Sequence, residues 1–152
     1  MIILKTPEQI EGIREASKIV AKTLEMLKDA VCVGVATEDL DRKARDFIRN
    51  CGAEPAFLGY KGYPKSICTS INEEVVHGIP SARRLKEGDI ISIDVGVKRD
   101  GFYSDAAITV GVGRIGPLAE KLIKSTEEAL YDSIKKAVSG NRLHDVSYAV
   151  EK

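Results

Sequence analysis

The sequence contains no tryptophan, only five tyrosines and three phenylalanines, and no excess of either charge, since 23 basic and 23 acidic residues cancel. Without a block of like charge, a dedicated surface for nucleic acid or for an anionic membrane is not indicated. No apolar run approaches the roughly 20 residues that a membrane-spanning helix requires. The charged first helix follows the N-terminus without a signal-peptide pattern. We therefore expect a soluble, cytoplasmic protein.

Cysteine is also scarce, and the three residues Cys32, Cys51 and Cys68 are widely spaced and form no CxxC pair. An odd number in this arrangement predicts neither a disulfide framework nor a zinc ribbon, and it is typical of a reducing compartment. The length of 152 residues with 43% hydrophobic content is sufficient for one ordinary globular core. The expectation is a single domain over residues 1–152.

The stretch Gly88–Val110, GDIISIDVGVKRDGFYSDAAITV, has the strongest local pattern in the chain. Two β-branched, apolar runs flank an Asp-Gly pair, which predicts a β-hairpin. With a turn centred between Arg99 and Asp100, Asp94 would lie directly across from Asp105, with about 4.5–5.5 Å between their Cβ atoms. Two ionised carboxylates at that distance repel, so a pair of divalent metal ions between them is a candidate.

A structural alternative for the two acids remains open at this point. Aspartate in a strand can form a solvated outer face, and a slip of one residue would place Asp94 and Asp105 on opposite faces. Their neighbours are small or apolar, such as Ile93, Val95 and Ala106. A solvated face would carry more charge at alternate positions, so the neighbours favour a site.

Two amphipathic helices are predicted before this hairpin. Thr6 is expected to cap the first, with Pro7 at its first position and Gln9 completing a capping box, and its apolar periodicity continues to about Ala30. Thr37 is expected to cap the second helix. The predicted core face of that helix consists of Leu40, Ala44, Phe47 and Cys51. Gly52 is expected at the C′ position, just after the last turn.

The segment Gly59–Pro80, GYKGYPKSICTSINEEVVHGIP, is rich in glycine and tyrosine and contains a lone His77. Strands are predicted at residues 66–71 and 75–77, and loops of this kind often bind ligands. The tyrosines could equally be packing aromatics, and the histidine a structural one. After the hairpin, a long helix is predicted from Pro117, and a further helical pattern begins at Leu143.

In this order and spacing, the two segments quoted above resemble type I methionine aminopeptidases of peptidase family M24, and the resemblance extends from the first helix to the last residue. It implies an α+β fold of the pita-bread type, with two N-terminal helices, antiparallel β-hairpins and a long following helix. This chain would be the N-terminal part of such a catalytic domain. The remaining metal ligands, a His and two Glu residues, would lie in a C-terminal half that the 152 residues do not include.

The resemblance also implies residue roles. Asp94 would bind one metal and Asp105 would bridge both, with two divalent ions (Co, Mn, Fe or Zn) as cofactors. His77 would contact the substrate and take part in catalysis. Tyr60, Tyr63 and Cys68 would surround the methionine side chain. His144 matches no ligand motif, so the 152-residue chain alone is expected to be inactive.

The implied function is metal-dependent removal of the initiator methionine from nascent proteins when the second residue is small. The implied partners are N-terminal Met peptides, including those at the ribosome, with no direct nucleic-acid or membrane contact and a monomeric full-length form. One alternative is an Xaa-Pro aminopeptidase or dipeptidase of the same fold. Another is a non-catalytic pita-bread protein that binds ribosomes, RNA or histones; the presence of Asp94, Asp105 and His77 argues against it.

Overall fold

A computed structural model of the chain describes residues 3–152, and Met1 and Ile2 at the start of the predicted N-terminal segment lie outside it. The chain divides into two compact units, which meet between Arg114 and Ile115 in sequence. Each unit is described by itself below. The expectation of one domain over the whole chain stays a prediction.

The first helix, α1, spans Pro7–Ala30 and begins as the sequence predicts. The backbone N–H of Thr6 donates to Gln9 Oε1 at 2.9 Å, and the Gln9 N–H donates to Thr6 Oγ1 at 3.3 Å. This reciprocal capping box satisfies two N–H groups that the first helical turn leaves free. One side of the helix is buried and packs on the sheet: Ala16, Ile19, Val20, Thr23, Leu24 and Leu27.

The second helix, α2, spans Thr37–Asn50, and here the predicted cap is wrong. Ala36 occupies the N-cap position, while the Thr37 hydroxyl donates to the Ser81 carbonyl at 3.0 Å and accepts from the Ser81 N–H at 2.8 Å. The Thr37 hydroxyl is therefore hydrogen-bonded to a residue distant in sequence and does not cap the first turn of α2. Gly52 follows the helix with φ +69°, as expected of a residue at C′.

Four antiparallel strands form one sheet among the described residues: β1 (Glu54–Pro55), β2 (Ile67–Ile71), β3 (Ile90–Arg99) and β4 (Phe102–Gly111). Strand β3 is central, with β1 and β2 paired along one edge and β4 along the other. A short 3-10 helix, Tyr60–Gly62, lies between β1 and β2. Together with α1 and α2, this sheet confirms the predicted α+β class.

The strand predicted at residues 75–77 is wrong, because these residues lie in the loop between β2 and β3. His77 has φ +61°, a left-handed conformation that a strand does not accommodate. The apolar character of Val75 and Val76 suggested a strand, yet both side chains are exposed. Periodicity cannot distinguish so short an apolar run from a loop.

The register of the β3–β4 hairpin differs from the prediction: each residue of β3 pairs with a residue of β4 two positions further along the chain than predicted. Asp94 pairs with Ala107, and Asp105 pairs with Gly96. Direct pairing of the two acids is therefore wrong. The turn is centred on Asp100 and Gly101, whose φ angles are +50° and +82°; a two-residue turn of type I′ needs positive φ at both central positions. A difference of two preserves the face, so Asp94 and Asp105 still lie on the same side of the sheet.

Alternation along β3 separates the core from a second face. Ile91, Ile93, Val95 and Val97 are fully buried in the cluster formed with α1 and α2. The intervening even-numbered positions, including Asp94 and Gly96, point to the opposite side. One face of the hairpin is thus packed in the hydrophobic core, and the opposite face carries Asp94.

The second unit contains α3 (Pro117–Lys136) and α4 (Leu143–Glu151), which pack against each other. Both helices begin where the sequence predicts. Several of their apolar side chains are more than half exposed: Leu118, Leu122, Leu130, Ile134, Leu143 and Val150. Among residues 3–152, no helix is long and apolar enough to cross a membrane.

Candidate metal centre and substrate pocket

Asp94 is the most unusual carboxylate in the first unit. It is half-buried on the even face of β3, and its buried Oδ1 has no hydrogen-bond partner among residues 3–152. Burial, together with the neighbouring Asp105 carboxylate, raises the pKa of Asp94 to about 6, and the nearby His77 imidazole opposes this rise. A buried, unpaired carboxylate oxygen beside a second acid indicates a position prepared for a positive charge.

Asp105 approaches Asp94 from the neighbouring strand. It is exposed and lies opposite Gly96, which makes it the diagonal neighbour of Asp94. Diagonal pairs on one face have Cα atoms roughly 7–8 Å apart, within reach of longer or bridged groups. The structure therefore places the two predicted ligands on one face of the hairpin as diagonal neighbours.

Cys68 lies on the other side of Asp94. It occupies the position on β2 that pairs with Asp94 on β3, so the two side chains share a face. Burial raises the pKa of the Cys68 thiol, and the carboxylates of Asp94 and Asp105 add to this effect, while Tyr63 opposes it. The thiol thus stays protonated, as a soft and polarisable group on the same face as the two carboxylates.

Tyr63 contributes both a ring and a hydroxyl to the same region. Its Oη lies 3.0 Å from the Ile67 carbonyl oxygen and 3.1 Å from the Gly78 carbonyl oxygen. Burial raises the pKa of Tyr63, with further contributions from Cys68, Asp41 and Asp94. The phenol therefore remains a neutral donor next to Cys68 and Asp94.

His77 lies in the loop that follows β2, immediately before Gly78. The residue is exposed, and its imidazole lies close enough to Asp94 to lower the pKa of that carboxyl. Tyr60 is placed differently: it is 64% exposed in the 3-10 helix, where Lys61 Nζ lies 5.5 Å from the ring centroid. Its membership of the pocket stays a prediction.

Phe57 is a residue of this region that the sequence analysis missed. A Cβ added to Gly96 would lie 2.4 Å from Cε1 of the Phe57 ring, so the ring packs directly on the glycine backbone. The Ala56 N–H donates to the Gly96 carbonyl at 2.9 Å, which holds the segment against β3. A glycine inside a strand often marks such a close approach. Gly96 was therefore the feature of the sequence that could have indicated a packed side chain here.

An ion pair between buried Asp41 and partly exposed Arg45, at the start of β2, was also missed. The Asp41 side chain, only 2% exposed, accepts the N–H groups of Ser66 at 2.6 Å and Ile67 at 3.2 Å on Oδ1. Arg45 donates to Asp41 Oδ2 at 2.6 Å and, through Nε, to Ser66 Oγ at 2.9 Å. An acid on the apolar face of α2, beside Leu40 and Ala44, was the signal. The cluster fixes the start of β2.

The donor set fits a divalent metal ion in part. Two carboxylates, one with an uncompensated oxygen, are suitable ligands for hard or borderline cations. Within the described residues, however, no three His, Cys, Asp or Glu side chains converge on one point. Asp94 and Asp105 would therefore supply only part of a coordination sphere.

Comparison with known proteins places this arrangement in a family. The chain is 54% identical to a methionine aminopeptidase of Clostridium acetobutylicum over 100% of its own length and 61% of that protein. It is 49% identical to methionine aminopeptidase 1 of Bacillus subtilis, over 99% of this chain and 61% of the relative. The chain thus spans about three fifths of the length of these relatives.

Solved structures agree in fold. A methionine aminopeptidase from Rickettsia prowazekii superposes with a TM-score of 0.96 at 41% identity, over 99% of this chain and 60% of that one. A prolidase from Pyrococcus furiosus superposes with a TM-score of 0.86 at 23% identity, over 97% of this chain and 42% of that one, which shows the fold alone. Residues 11–152 match metallopeptidase family M24. The chain, with its carboxylate-bearing hairpin, belongs to metallopeptidase family M24.

Proposed function

We propose that the whole protein is a methionine aminopeptidase, which removes the N-terminal initiator methionine from nascent proteins when the second residue is small. The observation that carries this proposal is the buried, unpaired Asp94 Oδ1 beside Asp105 on one face of the hairpin. High identity over the full length of this chain to proteins named methionine aminopeptidase supports the substrate assignment.

Asp94 and Asp105 are the residues that would hold metal, with Asp94 on one ion and Asp105 between two. Co, Mn, Fe or Zn would suit carboxylate and imidazole ligands, and affinity order does not select among them. When bound, such ions polarise a peptide carbonyl and lower the pKa of bound water. His77 lies near Asp94, and we propose that its imidazole donates a hydrogen bond to the amide of the scissile bond or accepts one from it.

The methionine side chain is proposed to lie against Tyr63 and Cys68. Tyr60 is proposed to line the outer side of this pocket, and Phe57, which packs on Gly96, is proposed to line its base. Aromatic rings and a protonated thiol make a soft, polarisable surface that suits a thioether. The pocket would then select methionine by shape and polarisability. A free N-terminal amine would be recognised by a metal ion that the carboxylates hold, through the lone pair of its nitrogen.

The 152 residues are proposed to be the N-terminal part of one catalytic domain, with the further ligands of the resemblance, a His and two Glu residues, supplied from outside them. By itself this chain would be inactive, since two carboxylates do not complete a coordination sphere. The full-length protein is proposed to act as a cytoplasmic monomer on N-terminal Met peptides, including those at the ribosome.

The proposal is tested by offering the full-length protein, with Mn²⁺ or Co²⁺, three peptides that begin Met-Ala, Met-Leu and Ala-Pro. Release of methionine from Met-Ala alone is expected, and Asp105→Asn should abolish it. Cleavage of Ala-Pro without methionine release would instead identify an Xaa-Pro peptidase of the same fold. Failure to cleave any peptide, together with undetectable metal binding in calorimetry, would favour a non-catalytic binding protein.

A further inference from the structure

The hydroxyl of Tyr63 lies between two backbone carbonyls that are 11 residues apart in sequence. Oη is 3.0 Å from the oxygen of Ile67 and 3.1 Å from the oxygen of Gly78. A phenol has a single proton to donate, so it is shared between the two acceptors. Neither contact is needed for a ring that merely lines an apolar pocket.

The first acceptor belongs to a rigid element. Ile67 opens β2, is fully buried, and donates its own N–H to the carboxylate of Asp41 at 3.2 Å. Asp41 is in turn paired with Arg45 of α2. The Ile67 carbonyl is thus a fixed point attached to both the sheet and the second helix.

The second acceptor belongs to the loop that carries His77. Gly78 is seated on β2 by two further hydrogen bonds, from the Thr69 N–H to its carbonyl at 2.8 Å and from its own N–H to Ser70 Oγ at 3.2 Å. The approach is so close that a Cβ on Gly78 would lie 2.1 Å from the Thr69 oxygen. The backbone of Gly78 is therefore fixed relative to β2.

His77 immediately precedes this seat and has a left-handed backbone, with φ +61°. A histidine in that region carries conformational strain, which persists only when the surrounding contacts hold it. The contacts that do so pass through its neighbour Gly78. Loss of one of them would let the residue relax toward an ordinary conformation and would change the position of the imidazole.

We propose that the Tyr63 hydroxyl is a positioning group, which fixes the Gly78 carbonyl against β2 and thereby holds His77 toward the Asp94–Asp105 pair. The catalytic half of this inference rests on the proposed function, because it requires His77 to act on the substrate amide. The structural half, that the hydroxyl holds the loop, does not depend on it.

The test compares Tyr63→Phe with the wild type in the full-length protein. If Tyr63 only lines the pocket with its ring, phenylalanine provides the same contact surface, and any change in kinetics appears in KM. If the hydroxyl positions His77, kcat for a Met-Ala peptide falls by about 10- to 100-fold with KM changed less than about threefold. Tyr131→Phe, an exposed tyrosine of α3, is the matched control and should leave both constants unchanged.

Hydrogen–deuterium exchange on the same preparations gives a readout independent of activity. In Tyr63→Phe, peptides covering residues 69–78 should exchange at least several-fold faster, while peptides from α1 keep the wild-type rate. Ser70→Ala removes a different contact to Gly78 with Tyr63 intact, so it should show the same regional acceleration and the same fall in kcat; it keeps the inference testable if Tyr63→Phe folds poorly.

Unchanged exchange at 69–78 in both variants would overturn the inference, as would a KM effect without a kcat effect. If the wild type releases no methionine, the proposed function fails, and the exchange experiment still decides whether the hydroxyl holds the loop. Accelerated exchange with unchanged kcat would refute the positioning of His77 while leaving the methionine aminopeptidase assignment intact.

Discussion

Asp94 and Asp105 lie on the same face of the β3–β4 hairpin as diagonal neighbours, with Asp94 opposite Ala107 and Asp105 opposite Gly96. This offset matters because directly opposed carboxylates destabilise a sheet at close range. The diagonal arrangement increases their separation and places the small residues Gly96 and Ala107 across from the acids. Both carboxylates therefore remain on one face of the hairpin without being directly opposed.

The first prediction is that Asp94→Asn stabilises the metal-free protein and removes its stabilisation by metal. The amide keeps the shape of the side chain but has no charge to repel Asp105, so the free energy of unfolding should rise by about 0.5–2 kcal/mol. Added Mn²⁺ should stabilise the full-length wild type by mass action and leave the full-length variant unchanged. Urea unfolding with and without Mn²⁺ measures both effects.

Asp100→Asn provides the control, since its carboxylate is exposed in the turn and an asparagine is equally acceptable there. It should show neither the gain in stability nor the loss of the metal effect. A metal-free Asp94→Asn protein less stable than the wild type would mean that the carboxylate has a favourable role that the structure does not reveal.

The second prediction concerns Gly96, which has no space for a side chain. Gly96→Ala would force the Phe57 ring to move, and overpacking of this kind typically costs about 1–3 kcal/mol. Because the ring is proposed to close the methionine pocket, KM for a Met-Ala peptide should also rise in the full-length protein. Thermal unfolding and steady-state kinetics measure the two effects.

The double variant Phe57→Leu with Gly96→Ala tests the mechanism. A smaller side chain at position 57 should recover part of the lost stability, which a double-mutant cycle reports as a coupling energy. Strictly additive effects would show that the two residues do not share space.

The hairpin illustrates how far the sequence could predict this site. The alternation of apolar residues in β3 and the Asp-Gly pair predicted the hairpin and the shared face of the acids. The register could not be read from the strands, because it depends on whether the turn centre falls before Asp100 or after it. Positive φ at both Asp100 and Gly101 settles this, and that conformation becomes visible only in three dimensions.

The residues behind the site were harder to predict because their partners are distant in sequence. Thr37 pairs with Ser81, and Asp41 with Ser66 and Ile67, across 25 residues or more. Local rules assign such side chains to helix caps or solvated faces. Tertiary hydrogen bonds outcompete those local partners, and a single sequence contains no direct signal for them.

The third prediction follows from the buried carboxylate of Asp41. Asp41→Asn removes the charge paired with Arg45 and replaces one acceptor with a donor, next to the N–H groups of Ser66 and Ile67. Breaking a buried, hydrogen-bonded pair typically costs about 3–5 kcal/mol; Arg45 is partly exposed, so about 2–4 kcal/mol is expected. Chemical denaturation measures the difference.

Asp39→Asn on the same helix is the matched control. Asp39 also pairs with an arginine, Arg42, at 2.6 Å, but both side chains are exposed to solvent. An exposed pair contributes at most about 1 kcal/mol. Equal losses in the two variants would show that burial of Asp41 adds nothing, and the fixed start of β2 would then need another explanation.

The last prediction is a pH dependence that arises at Asp89, where the loop carrying His77 returns to the sheet. Asp89 accepts from Asn72 Nδ2 at 2.9 Å and from the Lys86 N–H at 2.9 Å. The hydrogen bond from Asn72 lowers the pKa of Asp89 below its usual value, with partial burial opposing and the Lys86 backbone reinforcing the effect. The carboxylate therefore joins both ends of the loop while it is ionised.

A carboxyl whose pKa is lower in the folded state stabilises the protein above its unfolded pKa of about 3.9, and that contribution is lost as the pH falls through the folded value. Asp89→Asn should thus reduce the free energy of unfolding near pH 7 by about 1 kcal/mol or less, since the group is only partly buried. The difference from the wild type should disappear at a pH below the folded pKa. Urea titrations at several pH values measure it, with Asp46→Asn on α2 as an exposed control. A deficit that persists unchanged in acid would show that the asparagine disturbs the loop by its shape, because only the loss of a charge-dependent hydrogen bond can vanish on protonation.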